Sequence, residues 1–426
     1  MTIDVLPEDA LLEIFDFYVD ETQIEAWQTL VHVCRNWRNL VFGSPRRLNL
    51  RLNCTARTPV GKMLDIWPPL PIVIRASGDK RSGVVEELDN IIAALKHKDR
   101  ISAIDFGHIR LVNVLAEMEQ PFPALQALTL EGIVAPIVPG LPNLLSSATH
   151  LVHLILRKIP FYGLMSPDAM VTCLSVLTRL DELVIEFGCR QRLKSQRRPP
   201  STRTLLPVLT KLRFRGLSEY LEDVAARIDA PLLDNLEITF FPQRGFNTPQ
   251  LSQFISRTPK FNTHDSDEAH LVSSDNDISV TLPQTSDGAL KLGISPRWDL
   301  SSLAQVCSSS FPHIHAVEHL YIIDDGIRLE LWDPQYYTTW PELFQVFTAV
   351  KNLYILSLFL PSIAPILPEL VVLPALQTLY LEDPTHFQEL TSQFVTARQL
   401  AGHPVAISRW ERVIEDSYVL IFVSST

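Results

Sequence analysis

The sequence lacks the local motifs of the common enzyme classes. It has no Walker loop, no G-x-G-x-x-G, no G-x-S-x-G and no H-E-x-x-H. Cysteine is also scarce, and no two cysteines have C-x-x-C spacing, which favours buried thiols in a reducing compartment over disulfides or a zinc site. The five are Cys34, Cys54, Cys173, Cys189 and Cys307. We therefore expect a chain that is not an enzyme and that has neither a cofactor nor a metal site.

Positive charge and unbroken apolar runs are few. Lys and Arg number 37 against 48 Asp and Glu, so the net charge of −11 leaves no basic footprint for nucleic acid. The first basic residue is Arg35, which argues against a secretory leader. Two uncharged stretches, Gly132–Leu156 and Asn352–Pro368, are each broken by prolines, so we expect no membrane span. Instead, the 46% apolar content predicts a sizeable core.

The first 45 residues carry large apolar side chains at helical spacing. Leu6-Pro7-Glu8-Asp9 predicts a helix start, and the helix is expected to reach about Tyr18. Its predicted apolar face is Leu11, Ile14, Phe15 and Tyr18, and two further short helices are expected around Trp27 and Trp37. A globule of roughly 40 residues without disulfides or metal is marginal. Part of this apolar surface should therefore contact another chain or the following domain.

The order of short motifs in this segment resembles an F-box. The motifs are Leu-Pro at 6–7, Ile-Phe at 14–15, Val-Cys-Arg at 33–35 and Trp-Arg at 37–38. The phrases at 349–354 and 398–404 extend the resemblance to F-box proteins of mushroom-forming fungi, which have a degenerate leucine-rich-repeat-like C-terminal domain.

The resemblance implies a non-catalytic substrate receptor of a Skp-cullin-F-box ubiquitin ligase, acting in the cytoplasm, the nucleus or both. Its implied partners are the Skp adaptor, a cullin reached through that adaptor, and an unknown target protein. Matching the motif assigns adaptor binding to Leu6, Pro7, Leu11, Ile14, Phe15, Leu30, Val33, Cys34, Trp37 and Arg38.

Beyond Pro45 an apolar pair, often written L-x-x-L-x-L, recurs at steps of roughly 24 to 33 residues. The pairs are Leu48/Leu50, Ile72/Ile74, Ile104/Phe106, Leu128/Leu130, Leu154/Leu156, Leu183/Ile185, Leu212/Phe214, Leu236/Ile238, Leu320/Ile322, Leu353/Ile355 and Leu379/Leu381. Helix starts lie between them, with predicted N-caps at Ser166, Ser218 and Thr248. The predicted fold class is α/β: a three-helix F-box over 1–45, then a degenerate leucine-rich-repeat solenoid over 46–426, with a curved parallel sheet and helices on its convex side.

Two parts of the chain depart from the repeat. The segment Asn262–Asn276 is predicted to form a loop or a hairpin that bulges from the array, within an irregular insertion at about 258–290. Strands at Ile278–Leu282 and Leu290–Leu292 should carry the sheet through this region. The ending 417–426 is either a last edge strand or a poorly packed tail.

Alternation along the strands predicts what faces away from the core. Across successive repeats, Glu131, Arg157, Glu186 and Arg215 should form a ladder of alternating charge, and Tyr321, Tyr354 and Tyr380 a row of rings. These residues and Arg213 are the candidate target-binding set. The alternatives are a solvated ladder that holds the register, and ordinary strand preference for tyrosine.

Three weaker features carry simpler alternatives. His313-x-His315-x3-His319 has a spacing that a metal could use but no nearby cysteine, so we expect no site there. The basic run over 190–198 is either a nuclear-import signal, an anion patch or an exposed loop. For the whole chain, the alternative to a ligase receptor is an interaction scaffold in which the N-terminal helices cap the solenoid.

Overall fold

The computed structural model describes most of the chain and divides it into two compact units, Met1–Cys189 and Arg190–Thr426. The described residues are 6–19, 26–77, 89–108, 114, 117–118, 120–132, 140–160, 165–188, 203–243, 245–262, 267–274, 277–284, 288–295, 299–311, 313–324, 339–356, 359–363, 366, 372–382, 388–414 and 420–424. The boundary predicted after residue 45 stays a prediction, since the contacts place the N-terminal helices and the first strands in one unit.

Three helices open the first unit. They are α1 (Glu8–Tyr18), α2 (Ala26–Val33) and α3 (Arg35–Gly43), which confirms the three predicted helices. Pro7 precedes α1 in an extended conformation, and Glu8 and Asp9 lie in the first turn, where acidic side chains complement the helix dipole. Cys34 is the N-cap of α3, and its Sγ accepts a hydrogen bond from the backbone N–H of Trp37 at 3.4 Å.

The first unit continues as a parallel sheet with its strands in chain order. The strands are β1 (Leu52–Cys54), β2 (Ile72–Ser77), β3 (Ile101–Gly107), β4 (Ala127–Glu131), β5 (His153–Ile159) and β6 (Glu182–Phe187). The connecting helices are Val60–Ile66, Asp89–Leu95, Leu141–Ser147 and Pro167–Leu174. The strand predicted at Leu48/Leu50 is wrong: both side chains are buried, but they lie in and just after a run of turns, and the first strand begins at Leu52.

The second unit holds a longer sheet. Its strands are β8 (Lys211–Gly216), β10 (Asn235–Phe240), β11 (Glu268–Ser273), β12 (Ile278–Pro283), β13 (Ala289–Ile294), β14 (His319–Asp324), β15 (Asn352–Ile355), β16 (Thr378–Leu381), β17 (Ala406–Ile414) and β18 (Leu420–Ser424). A separate short pair joins β7 (Thr204–Leu205) to β9 (Ile228–Asp229). The helices are Ser218–Ala225, Pro249–Arg257, Pro259–Asn262, Leu300–Ser310, Trp340–Phe344, Leu360–Ile363 and Gln388–Leu400.

The irregular region lies inside this sheet. The lateral order there is β10, β13, β12, β11, β14. After β10 the chain therefore skips two strand positions, forms β11, and then fills the skipped positions with β12 and β13. Strand β12 runs antiparallel to both neighbours, whereas β11 pairs parallel with β14 and β13 pairs parallel with β10. The predicted strands at 278–282 and 290–292 are confirmed. Of the loop or bulging hairpin predicted for 262–276, the hairpin is present, since Glu268–Ser273 pairs antiparallel with β12. It is part of the sheet, however, and the prediction that it bulges from the array is wrong.

Helix starts follow the prediction only in part. Ser166 caps its helix, since its Oγ accepts a hydrogen bond from the N–H of Ala169 at 3.3 Å. Ser218 is the first residue of its helix and not the cap. Thr248 precedes its helix but supplies no side-chain cap. The buried carboxylate of Glu222, from the preceding helix, accepts from the N–H groups of Gln250 and Leu251 at 3.0 and 2.8 Å instead.

The core of each unit is formed by the apolar pairs and the apolar faces of the connecting helices. Every predicted pair from Ile72/Ile74 onward lies on a strand and is buried. The ending is an edge strand over Leu420–Ser424, antiparallel to β17, so of the two alternatives for the tail the strand is confirmed for those residues. Among the described helices, none is both long enough and apolar enough to cross a membrane. The structure is thus mixed α/β with a mostly parallel sheet, as the sequence predicts.

Candidate functional site

Helix α1 carries apolar side chains on two faces. The buried face consists of Leu11, Leu12 and Phe15. The other consists of Ile14, Phe17 and Tyr18, which are neighbours on the helix surface and are 46%, 91% and 47% exposed. The predicted single face was therefore wrong, because Leu12 rather than Ile14 and Tyr18 packs inward. The result is an apolar stripe that is exposed to solvent along α1.

The predicted adaptor-binding residues are divided between these two environments. The exposed members are Leu6, Pro7, Ile14, Val33 and Arg38, and the half-buried members are Cys34 and Trp37. Leu11, Phe15 and Leu30 are buried inside the protein, so their side chains hold the helices together and are not presented to a partner. Sequence reasoning missed Phe17 altogether, although its place three residues after Ile14 is the signal that could have revealed it.

Trp37 and Arg38 are fixed by neighbouring groups. The Trp37 ring packs against the Phe15 ring with their centroids 4.7 Å apart. The guanidinium of Arg38 donates from Nε to the carbonyl of Val31 at 3.0 Å. Contacts of this kind hold α3 against α1 and α2 and limit how far the exposed stripe can rearrange.

Trp27 ties the helices to the strands that follow. Its side chain is fully buried, and its Nε1 donates to the carbonyl of Arg51 at 3.0 Å. Its ring meets those of Trp67 and Phe42 edge to face, with centroids 5.2 and 6.1 Å apart. Aromatic packing of this kind is worth about 1 kcal/mol per pair beyond area burial. The N-terminal helices are therefore packed on the beginning of the strand-helix array.

The three predicted tyrosines form one row in the second unit. Tyr321, Tyr354 and Tyr380 are register partners on β14, β15 and β16. Their rings stack with centroids 4.2 and 4.4 Å apart and interplanar angles of 16° and 10°. We call these residues the tyrosine row. The prediction that they lie side by side is confirmed.

The tyrosine row is less open than the sequence suggests. Tyr321 is only 5% exposed, while Tyr354 and Tyr380 are half-buried. Burial, reinforced by Glu268 and Tyr354, raises the pKa of Tyr321 far above its ordinary value, and burial likewise raises the pKa of Tyr354. The buried Trp410 ring meets Tyr354 edge to face at 6.0 Å. Tyr321 therefore supports the row from within, and only Tyr354 and Tyr380 have surface to offer a partner.

The run of register partners that contains the tyrosine row changes from aromatic to charged side chains along the sheet. Beyond Tyr321 it continues through His270, whose ring lies edge to face with that of Tyr321 at 5.0 Å, and then Thr281. It continues through Lys291 and Glu237 to Arg213. Glu237 accepts from Arg213 at 2.6 Å and from Lys291 at 3.2 Å. The guanidinium of Arg213 is thus already paired.

Of the predicted ladder, Glu131, Arg157 and Glu186 lie on the adjacent strands β4, β5 and β6, with a local shift after Leu156. Glu131 and Arg157 are register partners, and the Nε of Arg157 lies 3.7 Å from the carboxylate of Glu186. Glu131 itself binds the Nζ of Lys158 at 2.5 Å, because β5 is irregular after Leu156 and Lys158 has a φ of 50°. The Lys158 hydrogen bond lowers the pKa of Glu131 below its ordinary value. Arg215, in the second unit, donates to the Oγ of Ser295 at 2.8 Å.

The remaining candidates hold no cluster that suggests chemistry. His315 donates from Nδ1 to the carbonyl of Val346, and His319 lies beside Tyr354. No group of three metal-ligating side chains is found in the described part of the chain. Cys54, Cys173 and Cys307 are buried, Cys34 is half-buried, and none of the four forms a disulfide, whereas Cys189 and the basic run at 190–198 lie outside the described residues.

Comparisons with known proteins add little. No protein-family model and no curated protein matches the sequence. Among solved structures, a Bacteroides fragilis protein from a structural genomics consortium aligns with 11% identity and a TM-score of 0.24. The alignment covers 79% of this chain and 64% of that protein, and a TM-score this low supports no argument about either molecule.

Proposed function

We propose that this chain is a non-catalytic substrate receptor of a Skp-cullin-F-box ubiquitin ligase. Its N-terminal helices would bind the Skp adaptor, and the face of the sheet would bind a target protein. Such a receptor acts in the cytoplasm or the nucleus and accelerates modification by bringing the target near the conjugating enzyme.

The observation that carries the proposal is the exposed apolar stripe of α1. Isolated apolar side chains are normal on protein surfaces, but a contiguous group on one helix face is typical of an interaction site. Ile14, Phe17 and Tyr18 form such a group, and Leu6 and Val33 add exposed apolar surface on the same three-helix segment. Because Phe15 packs α1 against α3 and Trp27 fixes the helices to the residues that follow, a partner would find this surface already formed.

Tyr354 and Tyr380 are the part of the second unit that best suits a polypeptide target. Tyrosine supplies a large, rigid contact surface at low cost in conformational entropy. Stacking against each other and against Tyr321 holds the two rings in place before any ligand binds. The arginines of the candidate set are less suitable, since Arg213, Arg157 and Arg215 already have partners.

A pull-down of the full chain with recombinant Skp adaptor tests the adaptor contact. An Ile14→Glu/Val33→Glu variant places two charges on exposed positions, so we expect it to fold as the wild type does and to lose adaptor binding. A Val208→Glu/Leu232→Glu variant is the matched control, because those side chains are 40% and 50% exposed in the second unit. Circular dichroism verifies the fold of both variants.

One observation supports the alternative function, an interaction scaffold capped by the N-terminal helices. It is the packing of Trp27 against Trp67 and the carbonyl of Arg51. That packing makes the helices a cap on the array whether or not they also bind an adaptor. If folded wild type does not bind the adaptor, the helices act as a cap and the ligase proposal is wrong. If both double variants bind as the wild type does, the α1 stripe is not the adaptor contact.

A further inference from the structure

A cavity of about 500 Å³ lies in the first unit where strands β1 to β4 end. The side chains that line it include Arg57, Arg75, Ser77, Asp105, His108 and Glu131. Its size falls in the range of small-molecule sites in proteins. The carboxyl ends of parallel strands are also where ligands bind in open α/β sheets.

Two guanidinium groups, those of Arg57 and Arg75, line this cavity and take part in no close ion pair of the described residues. The ion pairs among the described residues of the first unit use Arg47, His108, His153, Arg157 and Lys158, but neither Arg57 nor Arg75. Both of these arginines are exposed. Guanidinium groups bind carboxylates and phosphates in a bidentate manner, so two of them at one cavity form a suitable site for an anion.

The carboxylates at the cavity differ in how far they are already engaged. Glu131 is bound to Lys158 at 2.5 Å and to His108 at 3.3 Å. Asp105 is the register partner of Arg75 on the next strand, and the two form no close ion pair. Burial raises the pKa of Asp105, and the charge of Arg75 partly offsets this effect. An Asp105 carboxylate beside the arginines favours a ligand that brings a hydrogen-bond donor as well as an anionic group.

Gly107 leaves the wall of the cavity open. It is the register partner of Ser77 and Glu131, and a Cβ atom added to it would meet no other atom within 4 Å. Its φ lies outside the left-handed region, so a larger residue fits there without backbone strain. Gly107 is therefore a position from which the cavity can be filled without a change in charge.

A second cavity of about 520 Å³ in this unit is a poorer anion site. It is lined by Arg51, Arg75 and His153, among others. Arg51 donates from Nε to the side chain of Asn49 at 3.0 Å, and His153 lies 3.3 Å from the carboxylate of Glu182. Two of its basic side chains are therefore already paired within the protein, the carboxylate of Asp16 also lines it, and Arg75 lines both cavities.

We propose that the cavity at the ends of β1 to β4 binds a small organic anion. A carboxylate or phosphate group lies between Arg57 and Arg75, and a hydroxyl or amino group of the same molecule faces Asp105. This site is independent of the ligase proposal, because it involves neither the N-terminal helices nor the second unit.

Isothermal titration of the full chain at low ionic strength, with inorganic phosphate and with malate as separate probes, tests the site. We expect saturable binding of at least one probe. Saturation by phosphate alone identifies a phosphate ligand, saturation by malate alone identifies a carboxylate ligand, and saturation by both identifies a general anion site.

Variants test whether the binding occurs at this cavity. An Arg57→Gln/Arg75→Gln variant should weaken binding about ten- to one-hundredfold, since it removes charge-assisted hydrogen bonds. Gly107→Leu should abolish binding by filling the space. Asp105→Asn should tighten phosphate binding, because it removes a like charge. Arg46→Gln is the matched control, since it removes an exposed guanidinium of the same unit that does not line the cavity.

The proposal is overturned if neither probe binds saturably to the wild type. It is equally overturned if the arginine and Gly107 variants bind as the wild type does, or if Arg46→Gln weakens binding as much as the cavity variants. The arginine variant should weaken phosphate binding, whereas Asp105→Asn should strengthen it. A loss of fold would weaken binding in both variants, and circular dichroism measures the fold directly.

Discussion

At the scale of single residues, the carboxylate of Glu131 is the centre of the charged ladder in the first unit. Glu131 has Lys158 at 2.5 Å and His108 at 3.3 Å. The hydrogen bond from Lys158 is the largest cause of its lowered pKa. A carboxylate whose pKa is lower in the folded state stabilises the fold above its unfolded pKa, and that contribution is lost as the pH falls through the folded pKa.

We predict that Lys158→Met lowers the free energy of unfolding by about 0.5 kcal/mol at pH 7, a small value because the pair is partly exposed. The difference in unfolding free energy from wild type should shrink as the pH falls from 4.5, the ordinary pKa of a glutamate, through the lower pKa of folded Glu131. Urea unfolding at pH 7 and at successively lower pH measures it, with Lys62→Met as an exposed control. A difference in unfolding free energy that stays constant with pH would show that Lys158 does not stabilise the Glu131 carboxylate.

At the scale of elements, neighbouring helices of the second unit are joined by a buried acid. Glu222, on the helix Ser218–Ala225, accepts hydrogen bonds from two N–H groups in the first turn of the helix Pro249–Arg257. The first N–H groups of a helix have no partner within it, and a negative charge there also complements the helix dipole. This contact therefore replaces the cap that Thr248 does not provide.

We predict that Glu222→Ala destabilises the protein by about 2 kcal/mol, because it leaves two N–H groups of a buried helix start without an acceptor. Glu219→Ala, one turn earlier on the same helix, is the control for helix propensity and charge. Denaturant unfolding compares the two variants with the wild type. Equal losses in both would show that Glu222 does not act as a cap.

At the scale of the whole molecule, the second unit departs from simple repetition. Strands β11, β12 and β13 enter the sheet in reverse order, and β12 is bonded on both edges by antiparallel neighbours. A strand paired on both sides exposes no backbone group along its edges. The described strands of the irregular segment are therefore part of the sheet and do not project from it.

We predict slow amide hydrogen exchange for the interior of β11 and β12, over Glu268–Ser273 and Ile278–Leu282. The physical reason is that exchange from a doubly paired strand requires opening of the surrounding sheet. Mass spectrometry of peptic fragments measures this, with the two-residue strands β7 and β9 as a faster-exchanging reference within the same unit. Exchange of β11 as fast as this reference would support the loop predicted from sequence.

The described part of the structure shows where sequence prediction succeeds. The strand pairs after residue 70, the three N-terminal helices and the lateral contact of Tyr321, Tyr354 and Tyr380 all follow from local spacing. Local spacing suffices there because side chains alternate along a strand, so a repeated apolar pair fixes both the buried face and the register.

What the sequence by itself determined is thus which side chains belong to the core of most strands and that three helices precede them. Tertiary structure alone decided that α1 buries Leu12 in place of Ile14, that Glu222 caps a distant helix start and that Tyr321 is buried while Tyr380 is half-buried. It also decided the strand order around β12 and the cavity that Arg57 and Arg75 line. Periodicity encodes how a segment is oriented toward the core, whereas these features depend on which neighbour, remote in sequence, packs against it.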